Sequence, residues 1–123
     1  MRIILDPGVT FHREALVRLA ELPHPILMPV VAFAERVRHL QRDGFDVEAF
    51  RRTLRRARVQ VEAMTEEHAL RYAGRLVDDE AGRKTSRDAF IAGHVGTDDV
   101  LWTTHAADFV KLGLRRDQIV EIG

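Results

Sequence analysis

Five short apolar or β-branched runs alternate along this chain with longer segments of helical periodicity. The runs are Ile3–Leu5, Ile26–Met28, Val59–Val61, Val100–Thr103 and Ile119–Ile122. Strands that alternate with helices in this way form a parallel sheet with helices on both faces. The sequence therefore predicts an α/β fold with a central, mostly parallel sheet.

The segments between the runs predict six helices, and Gly and Pro residues separate several of them. The predicted helices are Thr10–Leu22, Val30–Leu40, Asp46–Arg56, one starting at Thr65, one from Thr85 to near Gly96, and Ala106–Leu112. Helical spacing places one set of apolar residues of the second helix on a single face: Val30, Phe33, Ala34, Val37 and Leu40. In the fourth helix, the residues expected to face inward are Leu70, Ala73, Leu76 and Val77.

The length and composition restrict the class of protein. A chain of 123 residues predicts a single domain, residues 1–123, with one core. No apolar run approaches the roughly 20 residues that span a bilayer, and the N-terminus lacks the order of a signal peptide. The absence of cysteine excludes disulfides and zinc–thiolate sites. Together these features predict a cytoplasmic protein that does not enter a membrane.

The charges cancel overall but are unevenly distributed. Lys and Arg number 19, as do Asp and Glu. Between Arg36 and Arg58, however, eight Arg residues face only three acids. Such a stretch fits either a binding surface for phosphates or an ordinary solvated helical face.

Asp6 ends the first apolar run and is followed by Pro7 and Gly8. Pro7 disfavours the helical region for Asp6 and holds it extended. In parallel sheets, functional groups gather at the carboxyl ends of strands, where Asp6 is expected to lie. The sequence is compatible with a simple turn or with a metal ligand.

Glu35 and Asp88 are candidates for the same site, and each has a structural alternative. Glu35 falls outside the apolar arc of its helix and could pair with Arg38 on the surface. Asp88 shares a helical face with Ile91, but Thr85-x-x-Asp88 also has the form of a capping box.

Asp108 and Thr104 follow the fourth strand. Asp108 could serve the site or simply favour a helix N-terminus. The hydroxyl of Thr104 could position a water or a carboxylate, although Thr is also common in strands. Asp98 and Asp99 precede the same strand and are interpreted as turn residues.

The combination of these acids predicts a metal site more strongly than any single acid does. Oxygen ligands without Cys suit Mg²⁺ or Mn²⁺. The predicted metal ligands are Asp6, Glu35, Asp88 and Asp108. The six histidines show no zinc-binding spacing and are interpreted as surface or core residues, although His94 and His105 could lie near the site.

Several segments, in order, resemble the PIN-domain nucleases, in particular the VapC-type toxins of toxin–antitoxin pairs. They are IILDPGV, MPVVAFAERVRHL, SRDAFIAGHV, DVLWTTHAADFVKLGL and IVEI. The resemblance implies a three-layer α/β/α PIN-like fold, RNA cleavage with Mg²⁺ or Mn²⁺, a cognate antitoxin and a homodimer. Asp6, Glu35 and Asp88 match the first three acidic positions of the family.

The chain departs from the family pattern at two positions. Gly8 stands where the family often has Ser or Asn, and Ala106 stands where it often has Asp or Asn. Asp108 matches the acid of the family's D-F segment and could supply the missing charge. These departures bear directly on how well the site would hold a metal.

The resulting prediction is a metal-dependent endoribonuclease in which Asp6, Glu35, Asp88 and Asp108 hold the metal and Thr104 orients the site. One alternative is a PIN-like module that binds RNA or protein without catalysis, which Gly8 and Ala106 favour. A third is a phosphatase with Asp6 as nucleophile, which ranks last because residue 8 is not Asp.

Overall fold

The computed structural model describes residues 1–75 and 82–123, with backbone only from 82 to 86. The strands are β1 (Ile3–Leu5), β2 (Ile26–Pro29), β3 (Val59–Glu62), β4 (Val100–Thr103) and β5 (Ile119–Glu121). The helices are α1 (Arg13–Ala20), α2 (Val30–Arg42), α3 (Val47–Arg56), α4 (Glu66–Arg75), α5 (Gly82–Gly93) and α6 (Ala106–Lys111). Two short 3₁₀ helices cover Pro7–Phe11 and Arg116–Gln118.

The five strands form one sheet in the order β3-β2-β1-β4-β5, and every neighbouring pair is parallel. Ile3 lies opposite both Ile26 and Val100, so β1 occupies the centre with a partner on each side. Helices flank the sheet, as parallel crossovers require. The predicted α/β fold with a parallel central sheet is confirmed.

The core lies against the central strands. Ile3, Ile4 and Leu5 are each at most 1% exposed, as expected for a strand covered on both faces. Helices contribute Leu19, Ile91 and Phe109, among other residues. At the edge of the sheet, β3 buries Val59 and exposes Val61.

The first predicted helix, Thr10–Leu22, is wrong in its start, because α1 begins only at Arg13. The chain turns through the 3₁₀ helix immediately after Asp6, because Pro7 suits a first helical position. His12 is then extended and separates this turn from α1. Thr10 lies inside the 3₁₀ helix, and Phe11 is 60% exposed.

The inward face of α4 also differs from the prediction. Leu70 is 69% exposed, whereas His68 is buried and Tyr72 stacks on Phe90 of α5 at 4.0 Å between ring centroids. Because α4 packs on α5, His68 and Tyr72 lie on its inner face, and Leu70 does not. Leu76 and Val77 lie outside the described residues.

Two other helices depart from the predicted pattern. α5 already includes Gly82, so Thr85 lies within the helix and is not its cap. In α2 the fully buried residue is Ala32, while Ala34 is exposed. Leu40 is buried as predicted, so the buried face of α2 departs from the prediction only in part. Within residues 1–75 and 82–123, no helix combines the length and apolar character that crossing a membrane would require.

The central position of β1 predicts where the fold is most sensitive to truncation. The side chain of Ile4 is fully buried, whereas that of Val17 is exposed. We expect Ile4→Ala to lower the free energy of unfolding by about 2–5 kcal/mol, because it leaves a cavity in the core. Val17→Ala should change the same quantity by about 0.5 kcal/mol or less. Urea unfolding would measure both, and equal effects would contradict this account of the core.

Candidate metal centre at the carboxyl edge

Asp6 is held at the carboxyl end of β1 by the neighbouring strand. Its backbone N–H donates to the carbonyl of Trp102 at 3.0 Å, and its Oδ2 accepts a hydrogen bond from the Thr103 hydroxyl at 2.7 Å. The backbone N–H of His105 donates in turn to the Thr103 oxygen at 3.0 Å. These bonds fix the carboxylate, which is only 6% exposed, at the edge of the sheet.

Burial and neighbouring negative charges raise the pKa of Asp6 to about 6. Burial is the largest cause, and the charges of Asp88 and Glu35 act in the same direction. The hydrogen bond from Thr103 and the charge of His105 oppose them. Three of the predicted acids are therefore close enough to act on one another.

Asp88 lies in the same electrostatic environment. Its pKa is raised first by burial, then by the charges of Asp108 and Glu35, while Arg87 lowers it. Since α5 begins before Thr85, Asp88 lies within the helix and not in its first turn. It shares a face with the buried Ile91 and Ala92, which directs it toward the sheet.

Glu35 extends toward α5 rather than along its own helix. It lies one turn after the buried Ala32. Its side chain is only 21% exposed. Its Oε1 accepts a hydrogen bond from Nη1 of Arg87 at 2.5 Å. The predicted alternative, a surface pair with Arg38, is replaced by this ion pair between α2 and α5.

Asp108 and Thr104 lie at the rim of the site. Asp108, in the first turn of α6, is exposed but acts on Asp88. Thr104 is half-buried, and it is the adjacent Thr103 whose hydroxyl holds Asp6. The positioning role predicted for Thr104 is therefore performed, for Asp6, by Thr103.

Gly8 is explained by a close approach to Thr104. A Cβ atom at residue 8 would lie 2.6 Å from Oγ1 of Thr104, well inside van der Waals contact. The Thr104 side chain thus occupies the space that a side chain at residue 8 would need. The close approach of Thr104 therefore favours glycine at position 8.

The sequence did not identify Thr103 or Arg87 as parts of the site, whereas it left open that His105 lies near it. Thr103 ends a strand beside Asp6, and only the strand order reveals that β4 is its neighbour. The sequence shows that Arg87 directly precedes Asp88. It does not show that Arg87 pairs with Glu35, which lies 52 residues away in the chain.

The donor set fits a hard divalent cation. Asp6, Glu35, Asp88 and Asp108 offer carboxylate oxygens, which Mg²⁺ and Mn²⁺ prefer. The raised pKa values of Asp6 and Asp88 show that negative charge is concentrated where burial disfavours it. A cation at this position would relieve that cost.

A second polar cluster involves Glu62, His68 and His94. Nδ1 of His94 lies 2.8 Å from Oε1 of Glu62, and Nε2 of His68 lies 3.4 Å from the same oxygen. Arg2 binds the other oxygen of Glu62 at 2.8 Å and also pairs with Asp99. Arg2 and Asp99 immediately precede β1 and β4, whereas Glu62 is the last residue of β3. His94 is hydrogen-bonded to Glu62 and not to Asp6, whereas the charge of His105 acts on Asp6.

This second cluster has the residue types of a metal site but not its hydrogen bonding. The backbone N–H of Thr65 donates to Nδ1 of His68, so Nε2 of the neutral ring carries the proton. A metal at Nε2 would instead require Nδ1 to be the donor. His94 is fully buried, and its Nε2 has no hydrogen-bond partner among the described residues. In this arrangement Nδ1 of His94 is hydrogen-bonded to the Glu62 carboxylate, and Nε2 of His68 lies near the same oxygen.

Comparisons with known proteins do not identify the chain. No protein-family model matches it, and no curated protein matches it significantly. The resemblance to PIN-domain nucleases therefore remains a prediction.

Gly8 and Thr104 should be coupled energetically. The Cβ of Gly8→Ala would displace the Thr104 hydroxyl. We therefore expect Gly8→Ala to lower the free energy of unfolding by about 1–3 kcal/mol. In a Thr104→Ala background, the same change should be neutral or slightly stabilising, since that oxygen is gone. Urea unfolding of the four variants would give the coupling, and strictly additive effects would contradict the steric explanation.

Asp6 should make the protein less stable as pH rises, in the absence of divalent cations. Its folded pKa of about 6 exceeds the ordinary value of 3.8, so the folded state binds more protons between these values. Stability from this group is complete below about pH 4 and is lost as pH rises through about 6. The shift corresponds to a loss of about 3 kcal/mol.

Asp6→Asn removes this titration. Relative to wild type, this variant should therefore gain about 3 kcal/mol between about pH 4 and pH 8, as measured by urea unfolding with EDTA present. Asp98→Asn, the same change at an exposed turn, is the control and should show no such trend. A constant difference between Asp6→Asn and wild type at all pH values would contradict the proposed burial of charge.

Proposed function

We propose that this chain is a metal-dependent endoribonuclease resembling the VapC-type PIN-domain toxins. The observation that carries the proposal is that Asp6, Glu35, Asp88 and Asp108 come from separate elements and lie near enough at the carboxyl edge of the sheet for the charges of the last three to raise the pKa of Asp6 or Asp88. The pKa values of Asp6 and Asp88 are raised by burial and by neighbouring acids of this group. The cation would be Mg²⁺ or Mn²⁺, and the substrate RNA.

The site residues have distinct tasks in this proposal. Asp6, Glu35 and Asp88 would hold the cation, with Asp108 at the rim as a weaker fourth ligand. When bound, a divalent cation supplies Lewis acidity that activates water and stabilises a leaving oxygen of a phosphodiester. Thr103 keeps the Asp6 carboxylate in one orientation through its hydrogen bond, so the ligand is preorganised.

The remaining parts of the proposal follow the family resemblance. They are a cytoplasmic location, a homodimer and a cognate antitoxin that restrains the nuclease. The Arg-rich stretch from Arg36 to Arg58 would contact either RNA or the antitoxin. Helix α3 carries four exposed arginines, Arg51, Arg52, Arg55 and Arg56. Their positive charge suits an acidic partner.

A second candidate is a PIN-like module that binds RNA or protein without cleaving it. The ion pair between Arg87 and Glu35 favours this candidate, because it neutralises one of the acids that would hold the metal. Ala106 also leaves the site without an acid that the family often has there. The two candidates differ in whether the site binds a divalent cation and supports hydrolysis.

RNA cleavage with Mn²⁺ tests the proposed activity. Wild type should cleave single-stranded RNA, and Asp6→Asn should reduce the rate by at least about 100-fold, because a preorganised metal ligand is lost. Asp98→Asn removes one acid from an exposed turn and should retain wild-type activity. Equal activity of wild type and Asp6→Asn would disprove this assignment of the site.

Calorimetric titration separates the two candidates. The nuclease should bind Mn²⁺ at millimolar or lower concentration, and Asp6→Asn should weaken that binding. A folded wild-type protein that binds RNA but neither Mn²⁺ nor Mg²⁺ at millimolar concentration would instead identify a binding module.

A further inference from the structure

Arg87 places a positive charge inside the group of acids. Its Nη1 lies 2.5 Å from Oε1 of Glu35, and its charge also lowers the pKa of Asp88. Among the residues whose side chains the structure describes, Arg87 is the one Arg or Lys within ion-pair distance of Asp6, Glu35, Asp88 or Asp108. A cation that binds these acids must therefore compete with Arg87 for Glu35.

The two partners of this ion pair differ in their freedom to move. Glu35 is mostly enclosed, with 21% of its side chain exposed, whereas the side chain of Arg87 is 49% exposed. An exposed guanidinium can turn into solvent at little cost, since its hydration is restored. When the pair breaks, it is thus Arg87 that leaves and Glu35 that stays.

We propose that Arg87 is an exchangeable counter-ion, which holds Glu35 in the metal-free protein and contacts an RNA phosphate once a divalent cation has replaced it. This inference rests on the proposed function, because it assumes the metal site and the RNA substrate. It adds Arg87 to the site and an order of events, in which the cation binds first and Arg87 then contacts the RNA phosphate.

The chemistry of the guanidinium suits both partners. Its planar donors match carboxylate and phosphate oxygens equally well, so the same group can pass from one to the other. Because Arg87 is adjacent to Asp88 in the chain, it remains beside the cation after release. The released charge would then attract the phosphate that reaches this edge of the sheet.

Substitution of Arg87 should have opposite effects on the two ligands. Arg87→Gln removes the competitor for Glu35, so Mn²⁺ should bind more tightly, by about fivefold for a partly exposed ion pair. The same change removes a phosphate contact, so RNA should bind more weakly. A residue with a merely structural role would not separate the two affinities in this way.

Calorimetry with Mn²⁺ alone provides the first measurement. Wild type, Arg87→Gln and Arg38→Gln would be compared at the same pH and salt concentration. Arg38 is an exposed residue of α2, the helix that carries Glu35, so its substitution removes the same charge without breaking the ion pair. Tighter binding in Arg87→Gln but not in Arg38→Gln is the expected result.

The second measurement is the salt dependence of RNA binding. Fluorescence anisotropy with single-stranded RNA would use Ca²⁺ in place of Mn²⁺, with a gel to verify that the RNA remains intact. The slope of log K against log salt should be smaller in magnitude by about 0.7 in Arg87→Gln, the value for one phosphate contact. Arg87→Lys keeps the charge and should retain most of the wild-type slope.

The outcomes distinguish this inference from the proposed function. If wild type binds Mn²⁺ and Arg87→Gln binds it with unchanged affinity, the counter-ion role is wrong and the metal site stands. An unchanged salt slope in Arg87→Gln would likewise overturn the phosphate contact. If folded wild-type protein binds no divalent cation, both proposals fail. Thermal melting of each variant verifies that it is folded.

Discussion

The pairing of β1 with a parallel neighbour on each side determines where every other functional group lies. It buries Ile3, Ile4 and Leu5 completely and leaves Asp6 at the first position beyond the strand. The hydrogen bond from Asp6 N–H to Trp102 continues this pairing, and Thr103 then reaches the Asp6 carboxylate. The candidate centre is thus an extension of the sheet, and its rigidity derives from the sheet.

Alternating periodicity was sufficient to predict the strands and the α/β class, because parallel strands are apolar throughout. It failed where tertiary contacts override local preference. Leu70 is exposed because α4 packs on α5 through His68 and Tyr72. The sequence pattern placed Thr85 at the start of a helix. In the structure the residues before Thr85 already belong to α5, so Thr85 lies inside the helix.

Among the site residues, the acids could be predicted because carboxylates at strand ends and helix edges are unusual in an apolar context. Their neighbours could not be predicted. Arg87 and Glu35 meet only because α2 and α5 cross near the sheet edge, and Thr103 serves Asp6 only because β4 lies beside β1. Such partners depend on the strand order, which a single sequence does not specify.

Helix α5 connects two ionisable clusters with opposite responses to acid. Asp88 belongs to the carboxyl-edge group, whereas His94, just beyond the helix, belongs to the Glu62 cluster. Burial lowers the pKa of His94 from 6.5, so the contribution of this histidine to stability is lost as pH falls below that value. Asp6 gains stability over the same range. The two groups therefore act on the pH dependence of global stability in opposite directions, and residue-specific probes such as NMR would separate their titrations.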